Sequence, residues 1–567
     1  MVKYVVSPYQ SSRNRLKIEA TFPCDTDAMT LYMSAWRPGR YEEGNFTRLV
    51  THVQVFDDRS QRRMVEKTGK NSWRVETSGA KNITVSYLYM GKDLNAGSTY
   101  FDENILLINP VNSLIYLNEN VSGITLNLET PWKKLGIASA ASDVLYFENF
   151  DQLFDHPILC ADEVETLVYK VKGVPFFIHL WSMPEMPKDR LIADFKAFTL
   201  LQIQDFADFP SKEFHFVLIG TSQNYLHGVE HFNSTVIVLG PNKEFTEEYY
   251  FRLLSVASHE LYHVWNIKTL RPQEFLPYRY EILTYSRLGY MYEGVTTYLG
   301  DLYLLRAGII SSEKYLEILA ELIQRHTDNP GRYSFSLADS SVDTWVDGYV
   351  GGTPGRKVSI YNEGALIAFM LDVQLRKSTN NKVDLTTFMK HLYHQFGKAN
   401  LGYTQDNITN LLQALSSYDF EPFFNRYVFQ ANGYESGISQ ALEEIALEMY
   451  HSPANSAFVR VTGIRCIVVH QEFVVHSLAD GGPGYMAGLC EDDVLLQLNE
   501  QDFSKELAEQ FFEKEEILEA VITVRRNERT LKLTLPMIQR TFYPKVRLRK
   551  TNTEDKKLLK NRELFGI

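Results

Sequence analysis

Cysteine is scarce in this chain: four in 567 residues, at Cys24, Cys160, Cys466 and Cys490, with no C-x-x-C pair. So scattered a set speaks against a disulfide framework and against a thiolate metal cluster. It predicts buried free thiols in a reducing compartment. No apolar run reaches the roughly 18 residues a membrane span needs. The start, Met1-Val2-Lys3-Tyr4-Val5-Val6-Ser7-Pro8, lacks the apolar core and cleavage site of an export signal, which makes the cytoplasm the expected location. Positive charge is not in excess either. The net charge is -12, which sets nucleic acid aside as a partner. Internal repeats and low-complexity tracts are also missing.

Aromatic residues are plentiful, with 33 Tyr and 34 Phe, and such side chains suit β-rich domains. The length calls for about two to four domains. Residues 1–165 read as strands: Leu16 to Phe22 and Asn82 to Tyr89 alternate apolar with polar. Residues 166–450 pass from strands, such as Phe176 to Leu180 and Phe214 to Gly220, to helices. The stretch 328–359 is rich in Gly, Ser, Asp and Pro. It reads as a long loop just before Tyr361, placed to cap a site. The end, 541–567, carries Lys545, Arg547, Arg549, Lys550, Lys556, Lys557 and Lys560, and reads as a basic, solvated tail or helix.

His259-Glu260-Leu261-Tyr262-His263 is the most informative stretch. Four residues turn a helix by about 400°, so the two histidines lie about 40° apart on one face. Two such imidazoles can hold one zinc ion, and the Glu between them can act as a base on water there. Composition alone yields an H-E-x-x-H in about one of forty such chains, so context must carry the reading. Thr246 followed by Glu247 and Glu248 is a helix start, and Leu253, Leu254, Ala257, Leu261 and Val264 give the helix a buried face. Pro272 closes the segment. A catalytic zinc needs a third protein ligand, and Glu293, opening an apolar-periodic segment that runs to about Arg306, is a candidate.

The run from His259 through Val264-Trp265-Asn266-Ile267-Lys268 to Arg271-Pro272 resembles the glycyl aminopeptidase family of gluzincin metallopeptidases, which carries H-E-x-x-H-x-W-N-x-K followed by Arg-Pro. Glu293-Gly294-Val295-Thr296-Thr297-Tyr298 resembles the family's E-G-x-T-x-Y segment. Trp36-Arg37-Pro38-Gly39-Arg40-Tyr41 resembles its N-terminal W-x-P-G-x-Y signature. His227-Gly228-Val229-Glu230-His231 is similar to its G-G-L-E-H strand, and Tyr361-Asn362-Glu363-Gly364-Ala365-Leu366 to its Y-x-K-G-A-L segment. His227 and Glu363 depart from the pattern.

The resemblance implies a Zn2+ cofactor on His259, His263 and Glu293, with Glu260 as general base and Tyr361 as donor to the developing oxyanion. It implies that Glu230 binds the free α-amino group of a peptide, as the matching Glu does in the related aminopeptidase N group. Asp301, on the Glu293 segment, is a candidate partner for the histidines. The implied architecture is multidomain α+β: a β-sandwich-like domain at 1–165, a thermolysin-like sheet and helical lobe at 166–450, and a PDZ domain at 455–540. The last rests on the run from Gly482 to Asn499, with Ala487-Gly488-Leu489 and the acidic Glu491-Asp492-Asp493, and on a closing hairpin through Asn527-Glu528-Arg529. A PDZ groove would take a peptide C-terminus or a partner segment, and Thr462-Gly463-Ile464 is its candidate carboxylate loop. The expected substrates are peptides with a free N-terminus, cleaved after a small residue such as Gly or Ala. Alternatives are an endopeptidase on the same scaffold, or a non-catalytic peptide-binding protein using the PDZ domain.

Overall fold

The structure, a computed structural model, describes all residues except 10–13, 120, 122, 133, 136–143, 350–352, 354, 515, 516 and 518. The N-terminal region is β-rich. Its main sheet has seven strands, with Val2–Pro8 and Arg15–Pro23 near the centre and Asn82–Met90 beside them. The alternation read from the sequence is its burial pattern: Leu16, Ile18, Ala20 and Phe22 face the core. A three-stranded and a four-stranded sheet complete the region.

The next region opens with a five-stranded sheet. Glu165–Val171, Val174–Trp181, Phe214–Gly220 and Ser234–Gly240 lead across it to the edge strand Tyr225–Glu230, which is antiparallel to its neighbour. Phe214–Gly220 and Ser234–Gly240 are buried along their whole length, as parallel strands covered on both faces must be. Helices follow, chief among them Glu247–Tyr262, Val295–Arg306, Ser312–Asp328 and Asn362–Thr379. The chain is thus a multidomain α+β protein with a β-rich N-terminal domain and a helical lobe. One continuous apolar core runs from Val2 to Leu447 and also takes in Val546 and Phe565.

A second core, from Ala457 to Leu535, belongs to a small β-rich unit. Its strands run in the order Ile464–Val469, Glu472–Leu478, Val494–Leu498, Glu519–Arg526, Arg529–Pro536. The hairpin expected there forms, but Arg529 is paired with Arg526, so only Asn527 and Glu528 turn. The candidate carboxylate loop is not free to act as one. Gly463 N–H donates to Val459 O and Ile464 N–H to Thr462 Oγ1, so both amides are already satisfied.

Three other expectations need correction. Residues 541–567 are not a solvated tail. Lys545–Lys550 pairs with Leu447–Ser452, and the helix Lys556–Phe565 buries Phe565 against Phe369, with Arg376 over the same ring. Val546 and Leu548, alternating with the basic residues of the strand, were the overlooked feature. The stretch 328–359 contains the helix Leu337–Asp347, capped by Ser336 and anchored by buried Trp345. The expected loop shrinks to the residues after Asp347, of which Val350, Gly351, Gly352 and Pro354 lie outside the described residues. None of the four cysteines is in a disulfide, but only Cys160 is buried, and Cys490 is exposed. Among the described residues no helix is long and apolar enough to cross a membrane.

Candidate functional site

The helix Glu247–Tyr262 begins as its sequence requires: Thr246 accepts a hydrogen bond from Tyr249 N–H, and Glu247 and Glu248 occupy the positive end. It ends earlier than Pro272 suggests. His263 caps it with helical angles, and the following residues form turns that lead the chain back. Lys268 N–H donates to His263 O, and Ile267 takes φ 98°, unusual for a β-branched residue.

That turn explains the residues after the second histidine. Trp265 is fully buried and stacks on Phe206 at 4.6 Å. Asn266 donates from Nδ2 to Met291 O at 2.8 Å and to Thr296 Oγ1 at 3.0 Å, tying the turn to the segment that carries Glu293. Lys268 donates to Asp155 Oδ1 at 2.6 Å, reaching the N-terminal domain. Arg271 lies over the Tyr278 ring at 4.1 Å.

Glu293 sits on a π-helical turn, Tyr290–Gly294, ahead of Val295–Arg306. Such turns re-aim a side chain within a helix and recur at functional sites. Here Glu293 Oε2 comes within 3.5 Å of His259 Nε2 and 3.4 Å of His263 Nε2, and the two Nε2 atoms are 3.0 Å apart. Ligand atoms at about 2.0–2.1 Å around a tetrahedral zinc stand about 3.3–3.4 Å from one another, so the triad fits that ion. The donor chemistry fits too. His263 Nδ1–H donates to Asn266 O at 2.9 Å, which leaves the Nε2 lone pair facing Glu293. Glu293 Oε2 is buried and has no hydrogen-bond partner. Burial lowers His259. It acts the same way on His263, but the Glu293 carboxylate overrides it and raises His263, while burial of Glu293 is in turn outweighed by the histidines, which lower it. The cluster is built to hold positive charge.

Around the triad a cavity of about 550 Å³ contains Glu230, Glu260, Tyr361, His227, Arg40 and Tyr349. Glu260 lies against the edge strand, and only Gly228 leaves it room: a Cβ there would fall 2.2 Å from Oε1. Burial pushes the Glu260 carboxyl well above the usual range. Glu230, at the end of the edge strand, is 4% exposed, and its Oε1 has no partner. Glu230, Glu260 and His263 each bring a polar atom within 4.8 Å of the other two. Tyr361 stands at the start of Asn362–Thr379, its ring 6.4 Å from His259, and burial keeps its phenol protonated.

The structure therefore brings together His259, Glu260, His263, Glu293, Glu230 and Tyr361, all read from the sequence. Asp301 is not among them. It accepts from Ser255 Oγ at 2.7 Å, and burial raises it to about 6. Of the two departures from the family pattern, His227 lines the cavity, where burial pushes it down to about 3. Glu363 turns away and accepts from Ser359 N–H.

Two contributions were not read from the sequence. Tyr41 OH, from the N-terminal domain, donates to Glu293 Oε1 at 2.7 Å. Beside it Trp36 wedges into the lobe, with its Nε1–H on Arg279 O and its ring against Trp345. The Trp and Tyr of the 36–41 signature were the clue, since large aromatics five residues apart in a turn need something to pack on. Tyr349 OH lies 3.1 Å from Tyr361 OH, and Arg40 stacks on the Tyr349 ring. Nothing local marked Tyr349.

Known proteins resemble this chain in matching ways. Residues 252–367 match the family model described as M61 glycyl aminopeptidase, and residues 3–162 that of the Peptidase M61 N-terminal domain. No curated protein matches significantly. Among solved structures, an aminopeptidase N family protein from Idiomarina loihiensis is 24% identical with a TM-score of 0.91, covering 100% of both chains, so the fold is shared from end to end. An M1 zinc metallopeptidase from Deinococcus radiodurans, solved with a Tyr-Ser-Ala substrate, is 12% identical with a TM-score of 0.44, over 74% of this chain and 91% of that one. Leukotriene A4 hydrolase from Saccharomyces cerevisiae is 13% identical with a TM-score of 0.43, over 77% and 67%.

Proposed function

We propose that this protein is a zinc-dependent aminopeptidase that hydrolyses the first peptide bond of peptides with a free N-terminus, favouring small first residues such as Gly or Ala. The observation that carries the reading is the meeting, in one cavity, of a triad spaced for zinc with two further carboxylates, Glu260 and Glu230. His259, His263 and Glu293 would hold the ion, which when bound supplies a Lewis acid and acidifies water.

The remaining work falls to the chain. Glu260, its affinity for a proton raised by burial, takes a proton from water and returns it to the leaving amine. Glu230 accepts the α-ammonium in a charge-assisted hydrogen bond and so registers the chain by its end. Tyr361 donates its phenol to the carbonyl oxygen as charge gathers there. We assign residues 1–165 and 166–450 to the N-terminal and thermolysin-like domains of this enzyme, and 455–540 to a PDZ domain. In the last, strand Ile464–Val469 is at a sheet edge, where Ile467, Val468 and Val469 are exposed and a peptide strand can add.

Glu230→Ala tests the reading. It should collapse cleavage of unblocked dipeptides while sparing N-blocked ones. Equal losses on both, in a folded and metal-loaded variant, would favour an endopeptidase.

A further inference from the structure

Arg37 is a buried cation without a counter-ion. It is 4% exposed, and among the described residues its guanidinium makes one hydrogen bond, from Nη1 to the neighbouring Pro38 O at 3.2 Å. Among the described residues no carboxylate stands within 4 Å of its guanidinium. A guanidinium so placed is costly unless an anion joins it. Burial first, and Arg40 beside it second, pull its pKa down to about 10, so it stays charged at neutral pH.

The residue is nonetheless held with care. The guanidinium lies flat on Gly97: a Cβ there would fall 2.0 Å from Nη2 and 2.1 Å from Cζ. Gly97 is fixed from two sides, its N–H donating to Asn95 Oδ1 at 3.0 Å and its carbonyl accepting from Asn112 Nδ2 at 2.7 Å. Asn112 is itself buried and bonded to Thr99. Arg37, Arg40 and Arg48, with Glu42 and Asp93, line a polar cavity of about 200 Å³, and Arg40 also lines the cavity of the triad, so it borders both. Glu42, an acid on this wall, already accepts from Arg40 Nε. Of the carboxylates around Arg37, Glu230 attracts it most.

We propose that Arg37, with Arg40 at its rim, is a carboxylate-binding subsite beside Glu230, and that the enzyme favours peptides bearing a carboxylate close to the cleaved bond. This rests on Glu230 holding the α-ammonium. Arg40, which borders both cavities, then leads from the first residue toward Arg37, and Asp is the smallest side chain that delivers a carboxylate there. The terminal carboxylate of a dipeptide has the same chemistry.

The test compares kcat/KM for Asp-Ala with Asn-Ala, and for Ala-Ala with Ala-Ala-amide, in the full-length zinc-loaded protein and in Arg37→Gln and Arg40→Gln. Calorimetry of free L-aspartate against L-asparagine needs no turnover and runs beside it. Wild type should prefer Asp-Ala over Asn-Ala by about tenfold or more, and aspartate over asparagine likewise. Both ratios should fall toward one in Arg37→Gln and part-way in Arg40→Gln, whose rim position guards against misfolding. A preference confined to Ala-Ala over its amide, lost in the same variants, would assign the carboxylate to the substrate's C-terminus. Ratios near one in every wild-type arm would overturn the subsite, and so would a preference that both variants retain. Aspartate binding lost with Arg37 in a protein that cleaves none of these peptides would keep the subsite and sink the aminopeptidase reading.

Discussion

The cavity has two unlike walls. One is made of helix: His259, Glu260 and His263 from one stretch and Glu293 from the next, placed by helical spacing and a single π-turn. The other is made of turns. Arg40 lines the cavity from the N-terminal domain, Tyr41 of the same turn reaches Glu293, and Tyr349 follows the end of a late helix. The helical wall carries the groups for bond cleavage. On the reading proposed above, the turn wall steadies those groups, while Glu230, which would register the substrate, comes from the edge strand Tyr225–Glu230.

Experiments can pull the walls apart. The largest effect should come from the helical wall. Glu260→Gln should lower kcat by about 10²–10⁴-fold with zinc content unchanged by atomic emission; full activity in a zinc-loaded variant would remove Glu260 from the chemistry. The next concerns the bond between walls. Asp155, next to the N-terminal domain's last strand, accepts from Lys268 Nζ, from Phe232 N–H and from His231. Asp155→Asn leaves Lys268, buried on the helical side, without its carboxylate, and should cost about 3–5 kcal/mol in urea unfolding at pH 7. Burial alone would raise Asp155, but Lys268 and His231 hold it well below the usual carboxylate range. A depressed folded pKa stabilises above the unfolded value, about 4, and loses that contribution as pH falls through the folded one. The gap between wild type and variant should therefore persist from pH 7 to about 5 and close only in stronger acid; a gap that closes near neutrality would contradict the pairing. The smallest effect tests whether the walls cooperate. Tyr41→Phe removes the donor to Glu293 Oε1 and should weaken zinc binding by about 10–100-fold in chelator competition, whereas unchanged affinity would make the walls independent.

The same division governs what could be read in advance. The helical wall was legible because its residues repeat at three and four positions and its ligands are close in sequence. Strands such as Arg15–Pro23 were legible because alternation is equally local. The hydrogen bond from Tyr41 to Glu293 spans 252 residues, and that between Tyr349 and Tyr361 forms because a helix hidden in a Gly- and Ser-rich stretch ends beside the cavity. Neither has a period. A helix at Lys556–Phe565 was one of the two readings, but its docking was missed for a related reason: its charge is visible everywhere, while its anchors are two residues, Asn561 and Phe565, whose partners are distant in sequence.

The ribbon of Leu447–Ser452 and Lys545–Lys550 has one more consequence. Its last pair, Ser452 with Lys545, is where the chain departs into the small unit and where it comes home. Everything between is one excursion from neighbouring points, with its own apolar core. A short turn joining the two strands would close the ribbon as a hairpin and leave the lobe's framework whole. The small unit is thus a detachable cassette, open to replacement or loss without rethreading the lobe that carries it.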